Sequence, residues 1–170
     1  MVPATTTPTQ TEVTTKMKHW EGGVVAGLVA GAVFGILMTI MMRPTIENAI
    51  PALLGMEGGL AGWIIHMSIA ATLGVVFAAL LETIPSIGAD MQKNVAIGMA
   101  YGAVLWVLLA VIVMPIWLQA VGFAGAPAVP NVNYTSLLGH LVYGAILGAV
   151  YPLLTYTNMG TERVAEPRPQ

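Results

Sequence analysis

The chain has 170 residues, 56% of them hydrophobic and only 8% charged, with a formal net charge of −2 and no cysteine. A soluble domain carries roughly 25% charged residues, and the ordinary cause of such a deficit is burial in lipid. The charge balance leaves no footprint for a nucleic-acid partner. The missing cysteines exclude disulfides, thiolate catalysis and iron–sulfur ligation.

Residues 1–19 are rich in threonine and proline and lack apolar periodicity, so a disordered cytoplasmic tail is expected there. The first 18 residues also lack the apolar core of a cleavable signal peptide. The first span then runs from Gly22 to Met42 without a charge; crossing a bilayer takes roughly 20 apolar residues. It carries Gly23, Gly27, Gly31 and Gly35 at every fourth position. In water each would cost about 1 kcal/mol of helix propensity. In lipid, close helix packing offsets that cost, because small residues at this spacing let two backbones approach.

Arg43-Pro44 ends the span, and Thr45 to Gly58 reads as a loop in which Ile46, Ile50, Leu53 and Leu54 predict a short helix lying in the interface. The second span covers about Leu60 to Leu81, with Trp63 at its boundary. Glu82 to Lys93 is a polar connection marked by Pro85 and Gly88. The third span covers about Val95 to Leu118. Beyond it lies an uncharged loop with Gly122, Gly125, Pro127 and Pro130. The fourth span covers about Thr135 to Tyr156, and residues 157–170 are expected to be a second disordered cytoplasmic tail.

One stretch occurs twice. His66, Ala70, Gly74 and Ala78 share a helical stripe, as do His140, Gly144 and Gly148. Gly27, Gly31 and Pro44 match Gly98, Gly102 and Pro115 at one constant offset. The predicted fold is therefore all-α: an integral membrane four-helix bundle spanning residues 20–156. It is built from two parallel repeats of a two-span hairpin, about 22–82 and 93–156. Helix packing falls to Gly23, Gly27, Gly31, Gly74, Gly98, Gly102, Gly144 and Gly148. Lys16, Lys18, Lys93, Arg163 and Arg168 lie on one side and only Arg43 on the other, which places both termini of a multi-pass cell-membrane protein in the cytoplasm.

His66 and His140 are the only strongly polar titratable groups inside the spans. An ionisable group in a span is a functional candidate by default. Gly35 and Trp106 fall at a similar depth, so a buried layer of His66, His140, Gly35 and Trp106 is expected, with the two histidine helices diagonal in the bundle. Paired imidazoles and glycines suit haem b, although the Trp106 indole occupies part of the space a porphyrin needs. His66 and His140 with Met38, Met41 and Met42 offer imidazole and thioether ligands that suit copper. A proton-linked transporter or channel would show broken spans or further polar groups near the midplane. The ordinary explanation is a structural pair of neutral histidines, each bonded to the other, to Ser68, to Tyr143 or to the Trp106 indole, because an unpaired polar group in lipid costs several kcal/mol.

No nucleophile–base pair, carboxylate pair, phosphate-cradling loop or full metal-ligand motif is present, so the chain reads as a non-enzyme. The glycine span, Gly62-Trp63 ahead of His66, and Gly139-His140 with Tyr143-Gly144 resemble small four-span proteins of unknown function from archaea, especially halophilic ones. The resemblance implies a four-helix membrane protein without assigned activity, in the neighbourhood of respiratory genes. The expected role is an accessory or structural subunit of a larger, respiratory membrane complex, with lipid and other membrane subunits or itself as partners and no cofactor. A haem or copper carrier, and then a small transporter, are the alternatives.

Overall fold

A computed structural model describes residues 17–84 and 90–156. Of the segments expected as disordered tails, residues 1–16 and 157–170 lie outside the described residues, as do residues 85–89 of the connection, Pro85 and Gly88 among them. Four helices are long and apolar enough to cross a membrane: α1 (His19–Met41), α2 (Gly59–Glu82), α3 (Met91–Ala120) and α4 (Tyr134–Thr155). They pack as a bundle around Phe34, Phe77, Leu147 and Tyr151. α1 lies closely against both α2 and α4, and α3 lies closely against α4. The contact between α2 and α3 runs through Tyr101, whose ring meets Phe77 at 5.3 Å. α2 also reaches α4 through side chains, with Phe77 and Tyr151 5.9 Å apart and Tyr143 Oη donating to Ala70 O at 2.8 Å.

Two seams bring backbone against backbone. A Cβ added at Gly23 or Gly27 of α1 would overlap the carbonyl oxygens of Gly74 or Ala70 in α2. In α3, Gly98 and Gly102 meet the carbonyls of Gly144 and His140 in α4, while Gly144 and Gly148 meet those of Gly98 and Asn94. Helices this close exchange dispersion along their whole length, which is the main attraction available where lipid is as apolar as leucine.

The two loops at the opposite end from the termini are folded onto the bundle by carbonyls that prolines leave unserved. Pro51 has no N–H for the carbonyl four residues earlier, Glu47 O, and Gly58 N donates to it instead at 3.2 Å. Pro115 sits inside α3 and leaves Val111 O in the same condition; Asn131 N takes it at 3.0 Å. Just before Pro115 the helix widens into a π-helical stretch, Trp106–Val113, with Met114 N bonded to Leu109 O. That wider turn absorbs the proline and lets α3 run on to Ala120. α3 ends with Gly122 at φ 75°. The Gly122 and Phe123 amides bond to Gln119 O and Leu118 O at 3.1 and 2.9 Å, a glycine-terminated Schellman cap.

The segment expected to form a short helix does so. It forms a π-helical turn, Thr45–Ala49, continuing into Ile50–Ala52. Ile46 is only 1% exposed, while Leu54 is 64% exposed. The reason is Gly62: a Cβ there would overlap Ile46 O, so its absence lets the turn seat directly on α2. Ile46 and Ile50 of this segment are thus buried in the protein, while Leu54 stays exposed.

Candidate functional site

The buried layer is built around Phe34 of α1. Its ring stands edge-on to His66 at 5.5 Å between centroids and to His140 at 4.9 Å. Gly139 makes the position possible, since any Cβ there would strike the Phe34 ring. One phenyl ring thus packs against both imidazoles.

Each histidine is tied to a backbone carbonyl. His66 Nε2 donates to Gly31 O at 2.8 Å, from α2 across to α1. His140 Nδ1 donates to Ser136 O at 2.8 Å, within its own helix, with Ser136 Oγ at 3.5 Å. A carbonyl only accepts, so the bonded nitrogen of each ring carries a proton, Nε2 in His66 and Nδ1 in His140. The expected bonds from the histidines to each other, Ser68, Tyr143 or Trp106 are replaced by these. Ser68 Oγ bonds to Ile64 O at 2.8 Å on the outer face of α2, and Tyr143 reaches Ala70 O at 2.8 Å. Helix carbonyls retain a second lone pair along the whole span, so they outnumber side-chain acceptors in a lipid-facing bundle.

Of the other members of the expected layer, Gly35 lies beside His66 as expected. Gly35 faces Trp63 and His66, and a Cβ there would meet the Trp63 indole first. The tryptophan that joins the histidine layer is therefore Trp63, 6.2 Å from His66 between centroids. Trp106 opens the π-helical stretch, and its Nε1 is buried without a hydrogen-bond partner among the described residues. Of the methionines, Met38 is 3% exposed and packs in the core, whereas Met41 is 54% exposed on the outer surface; Met42 caps the end of α1. The structure splits this set. Among the described residues, no group of three or more His, Asp or Glu side chains is placed to hold a metal ion.

Several polar ties had no sequence signal strong enough to single them out. Tyr101 Oη donates to Leu73 O at 2.9 Å, joining α3 to α2. At the end that carries the termini, His19 Nδ1 pairs with Tyr151 Oη at 2.7 Å and lies 3.9 Å from Glu82 Oε1. Its place between Lys18 and Trp20, at the start of an apolar run, was the available clue. Phe34 was hidden because an apolar residue in an apolar helix carries no signal by itself.

These features define a class: a small multi-pass membrane protein of four packed helices, in which most buried side-chain donors end on a backbone carbonyl. The chain belongs to DUF6789, a protein family of unknown function, whose model matches residues 17–161. No curated protein matches it, and no solved structure does.

Proposed function

We propose that this protein is a non-catalytic accessory or structural subunit of a larger membrane complex, respiratory in the favoured case, and that it works through packing without a cofactor. The observation that carries this reading is the Phe34 ring packed edge-on against two histidines whose N–H groups are already engaged. A haem held by both imidazoles would have to find its space beside that ring. A subunit role is supported by α3, which buries 28% of its spanning window against 39% for each of the other three helices. That leaves its apolar face the broadest available to a neighbouring membrane subunit or a second copy.

In this reading the bundle is two parallel copies of a span–loop–span unit with both termini in the cytoplasm. The two glycine seams support the duplication, since Gly27 and Gly98 stand at corresponding places in the first and second halves. Lys18 and Lys93 at one end, against Arg43 at the other, support the orientation. The test is purification from its native membrane in mild detergent, with an optical spectrum. A colourless protein that co-elutes stoichiometrically with other membrane subunits is expected. A chain that elutes alone with a Soret band would replace this reading by the haem carrier.

A further inference from the structure

Where α1 and α2 cross at their glycine seam, the outer side of the crossing is left as a groove of about 460 Å³ at the end that carries the termini, lined by Lys18, His19, Trp20, Val75, Ala79 and Glu82 among others. Its floor continues along α2 through Thr72 and Ser68, since positions 68, 72, 75, 79 and 82 share one helical face. Every side chain on that face except Glu82 is small or β-branched. The two hydroxyls are turned onto their own helix, Ser68 to Ile64 O at 2.8 Å and Thr72 to Ser68 O at 2.9 Å. The groove therefore presents hydrocarbon along its length.

Its mouth is charged with both signs. The Lys18 ammonium makes no ion pair among the described residues. Glu82 has His19 Nδ1 at 3.9 Å, the far limit of an ion-pair contact, and both side chains are about half exposed. His19 is held in place by Tyr151, with its Nδ1 2.7 Å from the Tyr151 hydroxyl. Trp20 is exposed beside them, at the depth where indoles mark the membrane interface.

We propose that this groove binds a phospholipid whose headgroup carries both a phosphate and a primary ammonium group. One acyl chain lies along the Ala79–Thr72–Ser68 floor, the phosphate meets Lys18, and the ammonium donates to Glu82. A lipid suits the site better than a partner helix, because a helix laid on this face would have to cover Lys18 and Glu82 with opposite charges of its own. An anionic lipid without the amine satisfies Lys18 but faces Glu82 with like charge. A quaternary amine has no N–H for the carboxylate.

The experiment is native mass spectrometry on the full chain in mild detergent, with phosphatidylethanolamine, phosphatidylcholine or phosphatidylglycerol added at equal mole fraction. One retained phosphatidylethanolamine is expected, preferred by about tenfold, the discrimination given by a charge-assisted hydrogen bond. Free phosphoethanolamine should not displace it, because the acyl chain contributes to binding. Glu82→Gln should abolish the preference for the amine. Ala79→Leu, at an exposed position that the fold does not need, should block retention by filling the groove. Equal retention of the three lipids overturns the proposal, as does a preference that survives both substitutions. A wild-type dimer that Ala79→Leu separates, with no change in lipid retention, would assign the groove to a second copy instead.

Discussion

Phe34 and His140 meet edge to face at 4.9 Å with their planes at 67°, across the α1–α4 contact. The same phenyl ring stands edge-on to His66 at 5.5 Å. The two histidines therefore share one apolar neighbour, and each spends its hydrogen bond on a backbone carbonyl, Gly31 O or Ser136 O. Their inequivalence follows directly. His66 joins two helices, whereas His140 closes a bond inside one. Both alanine variants should lower stability, each by about 1–3 kcal/mol for the lost hydrogen bond and packing, with His66→Ala the larger. Thermal or denaturant unfolding in detergent checks the order. A larger loss at His140 would mean that its ring, not the cross-helix bond, holds the layer.

Phe34 makes a second prediction that separates vacancy from affinity. Phe34→Ala removes the ring that packs against both imidazoles and leaves a cavity, at a cost of about 3–5 kcal/mol if the site does not collapse. Added haemin should give no Soret shift with the wild-type protein. A shift that appears only in Phe34→Ala, and is lost again on adding His66→Ala, would show that the phenyl ring alone keeps the histidines from a ligand. Haem binding by the wild type would contradict the structural role assigned to the pair.

At the glycine seam, Gly74→Leu should be far more damaging than Val33→Leu. A Cβ at Gly74 already overlaps Gly23 O and crowds the Gly27 Cα, whereas Val33 is only partly buried. Overpacking costs about 1–3 kcal/mol where neighbours can yield, and a helix backbone yields little. Equal tolerance at the two positions, read from detergent stability, would place the seam toward lipid.

The proline in α3 can be tested through its distant partner. Pro115→Ala restores an amide that competes for Val111 O, now bonded to Asn131 N at 3.0 Å. The loop from Val121 to Asn133 should loosen, seen as faster hydrogen exchange at the Asn131 amide. Unchanged protection there would mean that other bonds, such as Gln119 Nε2 to Pro127 O at 2.7 Å, hold the loop by themselves.

Acid should weaken the start of α3. The backbone N–H of Lys93 chiefly, together with its side chain, holds the Asp90 carboxyl below its ordinary value. A depressed folded pKa gives stability that is present above the unfolded value and is lost as pH falls through the folded one. Asp90→Asn keeps a capping oxygen without the charge, so its stability should vary less with pH below about 4, the ordinary carboxylate range. Because Asp90 is exposed, the effect should also shrink with added salt.

Topology is tested by labelling. With the termini in the cytoplasm, a cysteine introduced at Ala126 should react with an impermeant reagent from outside, and one at Ile84 should not. The reverse pattern would invert the protein, and labelling at both would break the four-span arrangement.

Composition and spacing were enough to define four apolar spans, because lipid enforces helices of one length and excludes charge from their interiors. The glycines at every fourth position marked helix faces for the same reason: 3.6 residues per turn convert spacing into a stripe. What spacing could not decide was what each stripe touches. Trp63 rather than Trp106 joins His66 because Gly35 clears space on one side of α1 only. Phe34 enters the layer because Gly139, on a helix more than a hundred residues away in the chain, has no side chain to stop it. The loop segment Thr45–Ala52 turned inward for a similar cause, the missing Cβ of Gly62. Depth and face are properties of one helix and can be read from its own residues. The partner of a buried group depends on volumes contributed by other helices, and these meet only when the chain has folded.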